Sequence, residues 1–136
     1  MDRYTKKVIA WDLGKRMTVG LVQRTLNKAV QSQNKPKAII IHSDQGSQYT
    51  SHEYEENINL YGMTHSFSRK GYPYHNASLE SWHGHLKRGW VYQFKYKNFE
   101  EAYQSIFWYI EAFYNSKRIH QSLGYLTPNQ FEKMTA

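Results

Sequence analysis

Apolar positions along this chain change period several times, and each change marks an element. Residues 6–11 (KKVIAW) are short and partly β-branched, which predicts a strand. After Thr18, a suitable cap, Leu21/Val22, Thr25/Leu26 and Ala29/Val30 recur at three- and four-residue steps, predicting an amphipathic helix to about Gln33. Residues 34–37 (NKPK) read as a loop, and 38–42 (AIIIH) form an unbroken apolar run, as in a buried strand of a parallel sheet. Thr50 and Glu53 have capping-box spacing before a helix carrying Tyr54, Ile58 and Tyr61, which Gly62 ends. Met63, His65 and Phe67 alternate with Thr64, Ser66 and Ser68, predicting a strand over 63–68. Asn76 can cap a helix running to about Trp90, with Leu79, Trp82, Leu86 and Trp90 as its apolar stripe. Asn98, with Glu101 three residues on, opens a second long helix on Phe99, Ala102, Ile106, Tyr109/Ile110 and Phe113. Thr127-Pro128 opens a last short helix. Strands alternating with helices, without repeat or linker, imply one α/β domain over residues 1–136.

Composition narrows the partners. An apolar share of 40% and an aromatic share of 16% fit a folded protein. The absence of cysteine excludes a disulfide framework and any thiolate zinc site, and the seven histidines show no zinc spacing. No apolar run approaches the roughly 18–20 residues of a membrane span, and no signal-peptide pattern opens the chain, so a cytoplasmic, membrane-free protein is expected. The net charge of +7 points to a polyanion. Basic pairs such as Arg69-Lys70 and Lys87-Arg88, interleaved with Tyr72, Tyr74, Trp90, Tyr92 and Tyr96, offer phosphate contacts and stacking surfaces that suit nucleic acid.

Two carboxylates carry candidate chemistry. Asp44 follows the apolar run in a polar turn, 44–48 (DQGSQ), and the C-terminal end of a buried strand is where α/β sheets place ligand sites. Gly46 allows a close backbone approach there. Glu80 lies on the helix after Asn76, and Lys87, seven residues on, falls roughly 20° short of two full turns, on the same face. Hard oxygen ligands brought from separate elements can hold two divalent ions about 4 Å apart for phosphoryl transfer, a task usually given to three or more carboxylates. Each residue also has a plainer reading: Asp44 as a turn aspartate, Glu80 and Lys87 as a solvated helix face.

Residues 41–51 (IHSDQGSQYTS) resemble the second-aspartate motif of bacterial insertion-sequence transposases (orfB type) whose catalytic core is shared with retroviral integrases, the DDE superfamily. Residues 68–71 (SRKG) and 76–81 (NASLES) resemble the approach to that family's catalytic glutamate. The 35 residues between Asp44 and Glu80, the position of Lys87, and Tyr114-Asn115, Arg118-Ile119-His120, Leu123-Gly124-Tyr125 and Thr127-Pro128 in the 114–136 tail agree with it too. The resemblance implies an RNase H-like fold, a mixed sheet flanked by helices. It also implies a three-carboxylate site for two Mg²⁺ or Mn²⁺ ions, acting on DNA by strand cleavage and then 3′-hydroxyl attack. On it, Asp44 and Glu80 are metal ligands and Lys87 contacts DNA. Arg88, Arg69, Lys70, Gln48, Tyr49 and Asn76 are further DNA-binding candidates.

The family pattern begins only near Asp2, so the first two strands and the first catalytic aspartate are not expected here. Neither Asp2 nor Asp12 takes that aspartate's place. A core lacking a ligand is expected to bind metal weakly and cleave poorly alone, and open strand edges are expected to give a dimer. The competing expectation is a non-catalytic DNA-binding or oligomerising remnant that modulates a full-length relative.

Overall fold

The computed structural model describes residues 1–136, apart from the side chain of Pro73. The chain forms two compact units, Ile9–Ala77 and Met1–Val8 with Ser78–Ala136.

In the Ile9–Ala77 unit, α1 (Val19–Ser32) is followed by β1 (Ile40–Ser43), α2 (His52–Leu60) and β2 (Thr64–Phe67). Thr18 caps α1 as its sequence suggests, accepting from the Leu21 N–H at 3.2 Å. Leu26 and Val30 on α1 meet Tyr54 and Ile58 on α2, with Met63 and Ile41 closing the core. A polar seam joins the same helices: Asn27 Oδ1 accepts from Tyr61 Oη (2.6 Å) and Asn57 Nδ2 (3.1 Å). The strands pair in parallel, Ile40 with Thr64 through Ser43 with Phe67, in a two-stranded sheet. The parallel sense follows from α2 crossing between them. Gly62, at φ +66°, turns the chain out of α2, a conformation that a Cβ disfavours.

The other unit opens α3 (Ala77–Gly89), whose first residue belongs to the neighbouring unit, then α4 (Phe99–Phe107) and α5 (Pro128–Thr135). Asn98 caps α4 through the Glu101 N–H, and Glu101 reaches back to the Lys97 N–H rather than to the cap itself. Thr127 and Gln130 form the capping box of α5. Past Phe107, α4 widens into a π-helical stretch, Trp108–Tyr114.

Four expectations are corrected. Residues 6–11 join no ladder: Lys6 stands at φ +60°, and the Val8 N–H and C=O are both bonded by the Asn115 side-chain amide, each at 3.0 Å. One amide does for Val8 what a neighbouring strand would do. The 38–42 run is not buried. Strand pairing starts at Ile40, which is 69% exposed, because the helices cover one face of the sheet and Ile40 lies on the other. Ser51, not Thr50, caps α2, accepting from the Tyr54 N–H. Asn76 does not cap α3, because a 3₁₀ turn (Pro73–Asn76) runs directly into that helix.

Candidate functional site

Asp44 is the first residue beyond β1. Its Oδ1 accepts from the Gly46 N–H at 2.8 Å, which fixes an Asx turn and leaves Oδ2 open on an exposed side chain. Tyr49 N–H returns to Gly46 C=O at 2.9 Å, closing the loop. Burial, and after it the Asp44 charge, raise the Tyr49 phenol above its ordinary pKa. A Cβ at Gly46 would stand 2.9 Å from Gln48 Nε2 and 3.0 Å from Asp44 Oδ1, so any larger residue displaces one of them. Asp44, Gln48 and Tyr49 thus share one turn, as their motif suggests.

The backbone entering that turn is anchored from below. Ser43 Oγ donates to the Asp44 carbonyl at 2.9 Å and meets His65 Nε2 at 2.8 Å. His65 Nδ1 pairs with Glu55 Oε1 of α2. Ser43 is buried and the His65 side chain is 3% exposed, so the Ser43–His65 bond is screened from water, while the Glu55 side chain at the end of the chain is 34% exposed. Beside it, His42 bridges Ser66 Oγ (3.0 Å) and Ser68 Oγ (2.9 Å). Sequence reasoning passed over Ser43, Glu55 and His65. The available signal was His65 itself, a polar residue on the Met63/Phe67 face of an alternating strand, where burial demands a partner.

Glu80 sits exposed in the first turn of α3, where a carboxylate complements the helix dipole, and its carboxylate makes no hydrogen bond or ion pair among the described residues. Lys87 and Arg88 occupy the last turn, both exposed. The Arg88 guanidinium lies back over Gly84, where a Cβ would come within 2.6 Å of it. Partial burial first, and then Lys87, lower the pKa of His83 on the same helix. Arg69 and Lys70 are exposed in the loop after β2, and Asn76 is half-buried. Asp44, Gln48, Tyr49, Arg69, Lys70 and Asn76 therefore belong to one unit, and Glu80, Lys87 and Arg88 to the other.

The other N-terminal aspartates are engaged elsewhere. Asp2 accepts from Tyr4 N–H (3.0 Å) and Thr5 Oγ1 (2.7 Å), closing a local turn. Asp12 is paired with Arg24 (3.1 Å) and Lys28 (3.3 Å). Burial pushes the Asp12 pKa up, but bonds from Arg24, the Leu13 N–H and Lys28 outweigh it and hold the carboxyl below its usual range. Among the described residues no three His, Asp or Glu side chains gather as a metal cage. The donors fit Mg²⁺ or Mn²⁺ in kind, since Asp44 and Glu80 present open carboxylate oxygens. Each belongs to its own unit, and Mg²⁺ is commonly held by one or two carboxylates together with substrate phosphates.

Residues 1–73 match a family model described as an integrase core domain, and residues 61–128 match a second model of that description. The chain belongs to the integrase core domain family. It is 40% identical over 133 residues to the transposase for insertion sequence element IS904 of Lactococcus lactis subsp. lactis (strain IL1403), covering 98% of this chain and 53% of that protein. It is 39% identical to an uncharacterized 31 kDa protein of insertion element IS600 from Shigella sonnei, covering 97% of this chain and 48% of the relative. It is 34% identical to transposase InsF for insertion sequence IS3A of Escherichia coli (strain K12), covering 97% and 46%. The chain spans about half the length of these curated relatives.

Two solved structures share the fold. One is a chain of a simian T-cell lymphotropic virus intasome in complex with PP2A regulatory subunit B56 gamma (TM-score 0.70, 20% identity, 87% of this chain and 41% of that one). The other is the catalytic core domain of BIV integrase (TM-score 0.66, 22% identity, 97% and 81%). The α/β integrase-core fold, RNase H-like, expected from the sequence is the fold of this chain.

Proposed function

We propose that this chain is part of the catalytic core of a DNA transposase, cutting and joining DNA strands with Asp44 and Glu80 as carboxylate ligands of Mg²⁺ or Mn²⁺. One observation carries the reading. In an integrase core, a carboxylate with an open oxygen stands just past a strand end, on an anchored turn, and a second stands unpaired in the first turn of a helix that ends in Lys87-Arg88. Bound divalent ions would supply Lewis acidity toward a phosphodiester and toward the attacking water or 3′-hydroxyl. The protein's own part is to hold the carboxylates and the DNA. Ser43, His65 and Glu55 fix the Asp44 turn. Lys87 and Arg88 pair with backbone phosphates near Glu80, while Arg69, Lys70, Gln48, Tyr49 and Asn76 extend the contact along the duplex. Both strands of the two-stranded sheet are edges, which favours a homodimer.

With only two carboxylates the isolated chain should nick supercoiled DNA slowly in Mn²⁺, and Asp44→Asn or Glu80→Gln should each remove that nicking while leaving salt-sensitive DNA binding in place. Nicking that survives both substitutions refutes the assignment. The second reading is a non-catalytic DNA-binding or oligomerising remnant, favoured by the absence of a three-residue cage among the described residues. It predicts DNA binding that is indifferent to Mn²⁺ and to both substitutions.

A further inference from the structure

The unit formed by Met1–Val8 and Ser78–Ala136 holds a cavity of about 400 Å³ that the strand-cutting chemistry leaves unused. Its walls are mainly aromatic: Trp90, Trp108, Tyr109 and Phe113, with His85 and Arg118 as the polar members. The π-helical stretch builds it. At α-helical spacing, side chains five residues apart point roughly 140° away from each other. The wider winding closes that angle, and the rings of Trp108 and Phe113 lie parallel, 5° between planes and 6.3 Å between centroids. π-Helical turns of this kind recur at functional sites.

The aromatic surface is fixed in advance. Trp90 Nε1–H donates to Ser105 Oγ at 2.9 Å, the same hydroxyl that meets Tyr96 Oη at 2.9 Å, so the indole cannot swing. Trp108 stacks on Trp90 at 5.0 Å and 20°, yet remains 46% exposed. Arg118 lies 5.9 Å over the Tyr114 ring and contacts the His120 imidazole at 3.2 Å. Among the described residues no carboxylate pairs with Arg118. Burial, followed by the charge of Arg118, holds the His120 pKa down to about 4, so that neighbour is neutral at pH 7 and adds no second positive charge.

An uncompensated guanidinium repels a cationic ligand, and a purely apolar ligand would leave it unused. A flat aromatic ring carrying a phosphate satisfies both walls. We propose that this cavity binds one unpaired deoxynucleotide of the DNA substrate, its base stacked on Trp108 and its phosphate paired with Arg118. A base inside a duplex has both faces covered already, so the ligand must be single-stranded or flipped out. This subsite rests on the proposed DNA reading and adds to it a preference for unpaired bases.

The test uses a short single strand with 2-aminopurine at one position, a duplex with the same base paired, and a duplex with it opposite an abasic site. Binding is followed by anisotropy and stacking by 2-aminopurine fluorescence. The intact chain should quench the single strand, quenching of the abasic duplex would show flipping as a second source, and the paired duplex should bind with little quenching. Trp108→Ala should remove the quenching and weaken single-strand binding roughly tenfold, leaving paired-duplex affinity unchanged, whereas Trp108→Phe keeps the quenching. Equal quenching and affinity in the intact chain and Trp108→Ala overturn the subsite. So does a Trp108→Ala chain that changes its sedimentation but not its oligonucleotide binding, which would make the cavity a face between copies. Duplex binding without any 2-aminopurine response removes the subsite alone. Failure to bind any of the three DNAs at low salt removes the DNA reading and the subsite with it.

Discussion

Asn115→Ala removes the single side chain that bonds both backbone groups of Val8. In the native chain its amide accepts from the Val8 N–H and donates to the Val8 C=O, both at 3.0 Å, and the two residues are 2% and 5% exposed. Alanine leaves a buried donor and a buried acceptor without partners. At ~1–3 kcal/mol for each unsatisfied group, the loss comes to ~2–6 kcal/mol, a large share of the ~5–15 kcal/mol that holds a domain of this size. Asn115→Asp sharpens the test. One carboxylate oxygen can still accept from Val8 N–H, but the other faces the Val8 C=O with no proton to offer, and the charge is buried. The aspartate should therefore be at least as damaging as alanine at pH 7. Urea unfolding followed by tryptophan fluorescence measures both, with the midpoint falling and the slope unchanged. A loss below ~0.5 kcal/mol for alanine, the range of ordinary surface substitutions, or native stability for aspartate, would refute the clamp.

Two further outcomes follow from the same physics. His120 is held neutral to about 4, below its unfolded value of 6.5, by burial and then by Arg118, His85 and Lys6. Its contribution is full above pH 6.5 and is lost as pH falls toward 4, at most ~3 kcal/mol, so urea midpoints measured from pH 7.5 to 4.5 should drop more in the native chain than in His120→Gln. Parallel curves would contradict this. Glu55→Gln weakens the half-buried pair with His65 and should cost ~0.5–1.5 kcal/mol in thermal unfolding; a melting temperature matching the native chain would show that the Glu55–His65–Ser43 chain does not stabilise the Asp44 turn.

Much of the fold could be read locally. Thr18, Asn98 and Thr127 carry their capping role in their own side chains, and Gly62 carries its turn in the absence of one, so those boundaries were legible. What failed to read depended on distant partners. Residues 6–11 have the composition of a strand, but Asn115, more than a hundred positions on, takes up the Val8 backbone. Ile40 reads as core because an apolar run cannot report that only one face of its sheet is covered. The Trp108–Tyr114 stretch has helical spacing, and nothing in that spacing separates an α from a π winding. At the candidate site, Asp44 was legible from its place after a strand, and its turn partners Gly46 and Tyr49 came with the motif. The support from Ser43, His65 and Glu55 was not, since it joins two strands and a helix across the core.

Mn²⁺ binding in the presence of duplex DNA is the direct test of Asp44 and Glu80 as metal ligands. Electron paramagnetic resonance counts free and bound ions for the native chain, Asp44→Asn and Glu80→Gln, with and without DNA. Binding should be weak for the protein alone, stronger once phosphate oxygens complete the ligand set, and should lose that gain in either variant. Mn²⁺ binding that is equal in all three proteins, or that DNA does not strengthen, would contradict it.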